Sequence, residues 1–182
     1  MDNHHHLNPI LEEIIEITGQ NPNLCYQCGK CSAGCPVREF SDIAPNKVVR
    51  YLQLGLYDKA LESKAIWLCA GCLTCSSRCP KNYELAALMD ALREIAIKHG
   101  KKIPEQNVYK FHKAFLEPIR LFGRSFEIGM LIGYKLSSFQ LMQDMGFAPE
   151  TLLKDKMGFF PHVIKNSDKV KEIFKKTKEA QQ

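Results

Sequence analysis

Eight cysteines arranged in two short runs constrain this chain more than any other feature of its sequence. The first run has cysteines at positions 25, 28, 31 and 35, and the second has them at positions 69, 72, 75 and 79. Both runs follow the pattern C-x2-C-x2-C-x3-C-P, and the chain has no cysteine outside them. A pattern of this length rarely occurs twice by chance. The fold must therefore hold these thiols in two closely spaced sets.

The composition indicates a folded protein that does not depend on disulfides. The chain has 182 residues, of which 45% are hydrophobic and 25% are charged, as in ordinary globular proteins. A chain of this length can bury a sizeable core without covalent cross-links. No uninterrupted apolar stretch approaches ~18 residues, and the first residues lack the features of a secretory signal. We therefore expect a cytoplasmic protein with no membrane span, whose reduced cysteines bind metal or act in catalysis.

The spacing within each run is that of two-cluster ferredoxins. In that type, three cysteines of a run bind one [4Fe–4S] cluster, and the fourth, just before a proline, binds the other cluster. Carried over by position, the spacing predicts that the first cluster is held by Cys25, Cys28, Cys31 and Cys79. The second cluster is then held by Cys69, Cys72, Cys75 and Cys35.

Other uses of cysteine fit the two runs less well. Zinc sites also take four cysteines, but usually as two C-x2-C pairs that lie far apart and need no trailing proline. A redox-active C-x-x-C pair would leave the remaining cysteines without a role. A zinc-binding interaction module stays open as an alternative, which analysis of iron, zinc and sulfide would separate from an iron–sulfur protein.

The sequence before the second run predicts helices rather than strands. Asn8 is expected to cap a first helix that ends at Gly19. Ser41 or Asp42 is expected to cap another helix that ends near Gly55, and a short helix is expected over residues 58–61. The segment between the runs is longer than in small ferredoxins built on hairpins, and it contains no alternating apolar pattern.

A long helix is predicted after the second run, with Asn82 as its cap and Gly100 at its end. Its apolar positions recur at steps of three and four, which places them on one face; they are Leu85, Leu88, Met89, Leu92, Ile95 and Ala96. The expected fold is therefore all-α, with a helical ferredoxin domain over residues 1–100.

Residues 101–182 are expected to form a C-terminal helical extension. Helices are predicted over about 107–116, ending before Pro118, over about 125–142, and in the lysine-rich segment 167–182. An apolar-rich stretch lies between Met142 and Phe160. Because this part of the chain contains no catalytic grouping, we expect it to dock a partner protein.

No sequence motif indicates a reaction centre. The chain lacks a P-loop, a G-x-G-x-x-G fingerprint and a G-x-S-x-G motif, and His4, His5 and His6 are not expected to bind metal. A net charge of +5 with 9% aromatic residues gives little support for nucleic acid binding. Two clusters without a reaction centre indicate an electron relay that has no catalytic residues of its own.

The chain resembles the iron–sulfur subunit, designated C, of the cytosolic heterodisulfide reductase of methanogens. The likeness lies in both cysteine runs, in residues 41–45, in the bridge from Tyr57 to Cys69, in the helix after Cys79 and in residues 141–147. The cluster domain alone is also similar to the iron–sulfur subunits of fumarate reductase and of anaerobic glycerol-3-phosphate dehydrogenase. This chain lacks the [2Fe–2S] domain of the former and the extra cysteine-rich repeats of fused reductase chains.

The resemblance implies a place in an enzyme complex. In that family a flavin-bearing subunit receives electrons from a hydrogenase or a formate dehydrogenase. One branch passes through the iron–sulfur subunit to the catalytic subunit, which reduces the disulfide of coenzyme M and coenzyme B in methanogenesis. By resemblance, this chain is expected to be the non-catalytic relay between the flavin-bearing and the catalytic subunits. A relay subunit of another anaerobic dehydrogenase stays open as an alternative, and a freely diffusing ferredoxin is less favoured because such carriers tend to be small and acidic.

Overall fold

The fold is helical throughout the parts of the chain that the computed structural model describes, which are residues 8–138 and 163–180. No strand occurs within these ranges, as the sequence predicts. The chain divides into two compact units, residues 1–105 and residues 106–182. In the described ranges, no helix has both the length and the apolar character that a membrane crossing requires.

The first unit combines longer helices with several short ones around the cysteine runs. Its α-helices are α1 (Pro9–Thr18), α2 (Lys30–Ala33), α3 (Pro45–Gln53), α4 (Tyr57–Leu61), α5 (Lys64–Leu68), α6 (Thr74–Ser77) and α7 (Leu85–Lys98). Single turns of 3₁₀-helix cover Pro22–Leu24 and Arg38–Phe40. The one-turn helices α2 and α6 lie inside the two cysteine runs and pack against each other.

Helix α1 begins and ends at the residues that the sequence predicts. The side chain of Asn8 accepts a hydrogen bond of 3.0 Å from the backbone N–H of Ile10, and Pro9 is the first helical residue. Gly19 ends the helix in the left-handed conformation, with φ of 67°, and donates its N–H to the carbonyl of Ile15 at 2.8 Å. Such a conformation favours glycine because it has no Cβ atom.

Helix α7 carries the buried face around which the first unit is built. All six apolar positions predicted for this helix are buried, and Leu88 and Leu92 are 0% exposed. Helices α1, α4, α5 and α6 each pack against α7. Burying one such leucine contributes about 1.5–3 kcal/mol, so this face stabilises the unit that holds the cysteines.

The predicted caps of α3 and α7 were wrong. Helix α3 starts after Ala44, and the carboxylate of Asp42 instead accepts the backbone N–H groups of Lys64 at 3.0 Å and Ala65 at 3.1 Å, at the start of α5. Asn82 adopts φ of 51° before the chain enters α7, and Glu84 is the residue that flanks the helix. Short polar side chains bind whichever N–H groups the tertiary fold brings near them, which local sequence does not reveal.

The second unit contains α8 (Gln106–Phe122), α9 (Glu127–Ser138) and α10 (Ser167–Ala180), with α9 and α10 both packed against α8. The expected end of α8 before Pro118 was wrong. Pro118 lies inside the helix and is buried. The helix continues because a proline removes only one backbone hydrogen bond, while the rings of Phe122 and Phe126 then pack edge to face with centroids 6.1 Å apart.

Several predictions fall on residues outside the described ranges. These are the end of the 125–142 helix, the apolar-rich stretch from Met142 to Phe160, the family-like segment 141–147 and the His4 to His6 stretch.

Candidate metal centres

The first cysteine run curls because two of its residues adopt left-handed backbone conformations. Gln27 has φ of 63° and Gly29 has φ of 78°. Helix α2 starts immediately after Gly29 and carries Cys31, while Cys25 follows the 3₁₀ turn Pro22–Leu24. Left-handed residues on both sides of Cys28 reverse the chain direction locally, so closely spaced cysteines can face a common space.

The second run repeats this backbone path. Gly71 has φ of 61° and Leu73 has φ of 60°, and helix α6 starts immediately after Leu73. In the aligned pattern, Gly71 occupies the position of Gln27, and Leu73 occupies the position of Gly29. Each run therefore places one glycine and one larger residue at its two left-handed positions.

One cavity is lined by thiols from both runs, and we call it the Cys25 cavity. Its cysteines are Cys25, Cys28, Cys31, Cys75 and Cys79, and its other lining residues are Gly29, Asn46, Val49, Tyr83 and Leu85. Cys79, the last cysteine of the second run, thus lies with the first three cysteines of the first run.

A second thiol-lined cavity, which we call the Cys69 cavity, lies in the same unit. Its cysteines are Cys35, Cys69, Cys72 and Cys75, and its other lining residues are Val37, Ser41, Pro45, Ala65, Thr74, Leu85, Ala86 and Met89. Cys35 here lies with the first three cysteines of the second run. Cys75 and Leu85 line both cavities, so the two spaces are neighbours.

The thiols surround cavities rather than a single point. Within the described ranges, no three histidine, cysteine or acidic side chains are close enough together to hold one metal ion. A [4Fe–4S] cluster has different requirements, because its four thiolate ligands bind four separate iron atoms at the corners of a cube. Two cavities with thiols on several sides and mostly apolar remaining walls fit such clusters.

The family comparison agrees with this geometry. Residues 22–83 match the protein family described as "4Fe-4S dicluster domain". This segment contains all eight cysteines and both cavities' thiols.

We refer to residues 22–83, the segment that matches this family, as the dicluster domain. Two [4Fe–4S] clusters are therefore the cofactors of the chain.

Part of the chain is also similar to iron–sulfur subunits of heterodisulfide reductases. The chain is 35% identical over 94 residues to an iron–sulfur subunit of the CoB–CoM heterodisulfide reductase of Methanopyrus kandleri, covering 52% of this chain and 47% of the relative. It is 41% identical over 76 residues to an iron–sulfur subunit of the CoB–CoM heterodisulfide reductase of Methanocaldococcus jannaschii, covering 42% and 40%.

A relative from Methanococcus maripaludis is matched over a longer segment. It is a subunit of an "H(2)/formate:CoB-CoM heterodisulfide,ferredoxin reductase", 32% identical over 111 residues, with 59% of this chain and 56% of the relative covered. The chain thus spans about half the length of the relatives that it matches.

Burial disfavours the charged form of several thiols in the dicluster domain. It raises the pKa of Cys31, Cys69 and Cys75 above the ordinary cysteine value. Hydrogen bonds from the hydroxyl and the backbone of Thr74 lower the pKa of the exposed thiol of Cys72. Buried thiolates need a nearby positive charge, which the iron of a cluster supplies.

Hydrogen-bond donors approach the sulfurs of the Cys25 cavity. The backbone N–H of Tyr83 donates to Sγ of Cys79 at 3.2 Å, and Nε2 of Gln27 lies 3.6 Å from Sγ of Cys25. The Tyr83 ring lines the cavity and is 3% exposed, and burial followed by the nearby thiols of Cys25 and Cys79 raises its pKa. Its hydroxyl therefore stays protonated and can donate a hydrogen bond.

A polar network supports the first run from α3, and the sequence analysis did not predict it. Asn46 donates to Oε1 of Gln27 at 3.3 Å and accepts from Oγ of Ser32 at 2.7 Å. Gln53 donates to the carbonyl of Cys25 at 2.6 Å. No periodic pattern marks these residues, because each acts through a contact between segments that are distant in sequence.

The two runs also interlock through Gly34 and Arg78, which occupy the same position in the repeated pattern. A Cβ atom added at Gly34 would lie 2.7 Å from Cζ of Arg78, so the guanidinium fills the space that the glycine leaves.

Trp67 is 2% exposed and lines neither cavity. Trp67 is therefore a core residue of the first unit.

Proposed function

We propose that this chain is the electron-relay subunit of a heterodisulfide reductase complex. It passes single electrons from the flavin-bearing subunit to the catalytic subunit, which reduces the disulfide of coenzyme M and coenzyme B. The observation that carries the proposal is the pair of neighbouring thiol-lined cavities that share Cys75 and Leu85, in a chain that is similar over 52% of its length to an iron–sulfur subunit of such a reductase.

In this proposal the two runs exchange their fourth cysteines. The Cys25 cavity holds one cluster, and its ligands are Cys25, Cys28, Cys31 and Cys79. The Cys69 cavity holds the other cluster, and its ligands are Cys69, Cys72, Cys75 and Cys35. The lining of the cavities supports both sets. Cys75 lines both spaces, and its place in the run assigns it to the second set.

The protein positions the two clusters and sets the polarity and the water access around their sulfurs. When bound, each cluster takes up and releases one electron at a time. Leu85, which lines both cavities, together with Val49 and Met89 forms the apolar part of the cavity walls and limits the access of water to the sulfurs on that side. The exchange of Cys35 and Cys79 ties the two halves of the domain together, so the cavities stay neighbours and an electron has a short path between them.

We further propose that residues 1–100 form the relay domain and that residues 101–182 form an extension that docks a partner subunit. Among the described residues of the second unit, Pro118 is the one buried residue. Large apolar side chains remain exposed there, with Ile132 at 56% and Leu136 at 60%. Exposed apolar groups of this size are suited to burial against another protein.

The partners follow from the proposed role. They are the flavin-bearing and the catalytic subunits of the reductase, with an associated hydrogenase or formate dehydrogenase, in the cytoplasm. Nucleic acid is not among them, because a net charge of +5 is moderate and cluster-bound thiolates reduce it further.

Isolation of the intact complex tests the proposal. The chain, carrying an affinity tag, is recovered without oxygen from cells of its own source. We expect it to bring down a flavoprotein and a second cysteine-rich subunit in equal amounts, and the complex should reduce the coenzyme M–coenzyme B disulfide with reduced viologen. Recovery with a subunit that acts on fumarate or glycerol 3-phosphate would replace this proposal with the alternative dehydrogenase role.

Metal content provides an independent check. Two clusters require about eight iron and about eight acid-labile sulfide per chain. Two zinc ions per chain with no sulfide would instead identify a zinc-binding interaction module, and they would remove the basis for an electron relay.

A further inference from the structure

Tyr83 has an unusual position at the wall of the Cys25 cavity. It lies between the last cysteine of the second run and the start of α7, and it is 3% exposed. Its backbone N–H already binds Sγ of Cys79 at 3.2 Å, so the residue is anchored next to a proposed cluster ligand. Within the described part of the chain, its buried hydroxyl has no hydrogen-bond partner.

A buried hydroxyl without a partner is unfavourable, and natural proteins rarely retain one. A phenylalanine would fill the same volume without this cost. Tyr83 lines the Cys25 cavity together with Cys25, Cys28, Cys31 and Cys79. The sulfurs of a cluster bound there are negatively charged, and they are good acceptors for a hydroxyl donor.

The equivalent position in the first run does not provide the same group. Tyr83 follows Cys79 by four positions, and the residue four positions after Cys35 is Glu39. Glu39 is exposed and does not line the Cys69 cavity. The nearby hydroxyl of Ser41 in that cavity donates to the carbonyl of Val37 at 3.0 Å. The tyrosine is thus a feature of one cavity and not of the repeated pattern.

We propose that the Tyr83 hydroxyl donates a hydrogen bond to a sulfur of the cluster in the Cys25 cavity and raises the reduction potential of that cluster alone. Tyr83 is a positioning residue that tunes the relay, and this inference rests on the ligand assignment proposed above. A hydrogen bond to sulfur stabilises the reduced cluster more than the oxidised one, because the reduced cluster carries more negative charge.

The test compares Tyr83→Phe with the unchanged chain in redox titrations followed by electron paramagnetic resonance. We expect the ratio of reduced to oxidised cluster at a fixed potential to fall about tenfold for one cluster, which is about 59 mV for one electron. The other cluster should keep its midpoint. Tyr57→Phe, on α4 and away from both cavities, is the matched control and should change neither midpoint.

A ligand variant identifies which signal belongs to the Cys25 cavity. Cys28→Ser should alter the signal of the cluster that Tyr83→Phe shifts. If Tyr83→Phe leaves both midpoints unchanged, or moves both equally, the inference about Tyr83 is wrong while the ligand assignment stands. If the unchanged chain does not contain two iron–sulfur clusters, the proposed function fails first.

A second substitution shows whether a shift in Tyr83→Phe comes from the lost hydrogen bond or from a change in the surrounding structure. Incorporation of 3-fluorotyrosine at position 83 makes the hydroxyl a stronger donor at almost the same size. We expect the midpoint of the same cluster to move upward, opposite to the shift in Tyr83→Phe. A downward shift with both changes would point to structural damage and would overturn the proposal.

Discussion

The two cysteine runs have the same pattern and nearly the same backbone path, yet the cavities beside them are built differently. Each run has two left-handed residues followed by a one-turn helix. An amide and a phenol, those of Asn46 and Tyr83, belong to residues that line the Cys25 cavity, whereas the hydroxyl-bearing residues Ser41 and Thr74 line the Cys69 cavity. The pattern thus provides matching thiols, and the surrounding helices provide two different environments.

Because of this difference, a repeated cysteine motif can serve two sites that are not equivalent. A cluster's potential depends on hydrogen bonds to its sulfurs and on the polarity around it, as well as on its ligands. Two equivalent sets of four thiolates can therefore hold clusters of different potential when the residues around the sulfurs differ. The following predictions test which features the two runs share and which belong to one run.

The largest effect is expected from Cys35→Ser. We predict loss or conversion of the cluster in the Cys69 cavity, and therefore loss of up to about four of about eight iron atoms, because the proposed ligand sets take the fourth ligand of that cluster from the first run. Iron and sulfide analysis, with electron paramagnetic resonance of the reduced protein, measures the effect.

Cys79→Ser is the matched variant and should affect the cluster in the Cys25 cavity. If Cys35→Ser changes only the signal that Cys25→Ser also changes, then the exchange of fourth cysteines is wrong and each run binds its own cluster.

The next largest effect is expected from Asp42→Ala, which removes the carboxylate bound to the N–H groups of Lys64 and Ala65. We predict a loss of stability of about 1–2 kcal/mol, because two backbone donors at the start of α5 lose their partner. The second run follows α5 directly, so the cluster in the Cys69 cavity should be lost first on heating. The visible absorbance and the electron paramagnetic resonance signal of that cluster measure its loss.

Asp58→Ala is a suitable control for the removal of an aspartate. Asp58 pairs with Lys101 at 2.6 Å, but its side chain is 70% exposed. Exposed pairs contribute little, so we expect a change of at most about 0.5 kcal/mol. Equal effects of the two substitutions would contradict the assigned capping role of Asp42.

A smaller effect is expected from Gly34→Ala, where the runs interlock. The new methyl group would displace the Arg78 guanidinium, whose Cζ lies 2.7 Å from the position of the added Cβ. We predict a destabilisation of about 1 kcal/mol, at the low end for overpacking because an arginine side chain can move. Thermal loss of the cluster absorbance measures it.

The double variant Gly34→Ala with Arg78→Ala completes a cycle with the two single changes. The cost of the methyl group should largely disappear when the guanidinium is absent. Additive effects would show that Gly34 is required for a reason other than its contact with Arg78.

The smallest effects are expected from glycine substitutions at the left-handed positions of the two runs, and they should differ between the runs. Leu73 is 58% exposed and has φ of 60°, so Leu73→Gly relieves backbone strain and should stabilise the protein by up to about 1 kcal/mol. Gln27→Gly relieves similar strain but removes the hydrogen bonds with Asn46 and Gln53. We therefore expect it to be neutral or destabilising, and the same sign for both would contradict this distinction. Denaturation of the cluster-loaded protein without oxygen measures the free energy of unfolding of both variants.

Helix periodicity was the most dependable part of the sequence-based prediction. The apolar positions of α7 repeat over several turns, and all of them are buried, because a stripe of this length has only one way to avoid water. The cap of α1 was also predicted, since Asn8 and Pro9 act on neighbouring N–H groups. In α8 the local rule for Pro118 failed, because packing of the last turn outweighs one missing hydrogen bond.

The candidate site was predicted from its cysteines but not from their surroundings. The spacing predicts the two ligand sets, which the serine variants above test. Asp42, Tyr83 and Gly34 show what spacing leaves out, because each acts on a residue of another segment or on a cavity formed by several segments. Local sequence contains no signal for such contacts.

The sequence by itself determined the helical class of this protein and its two [4Fe–4S] cofactors, and it predicts that the eight cysteines are their ligands. These depend on short-range features, namely the period of a helix and the reach of neighbouring cysteines around one cluster. The tertiary structure alone decided that Cys75 and Leu85 line both cavities and that Tyr83 lines only one of them. Such pairings depend on how α2, α6 and α7 pack, and packing is a property of surfaces that meet only in the folded chain.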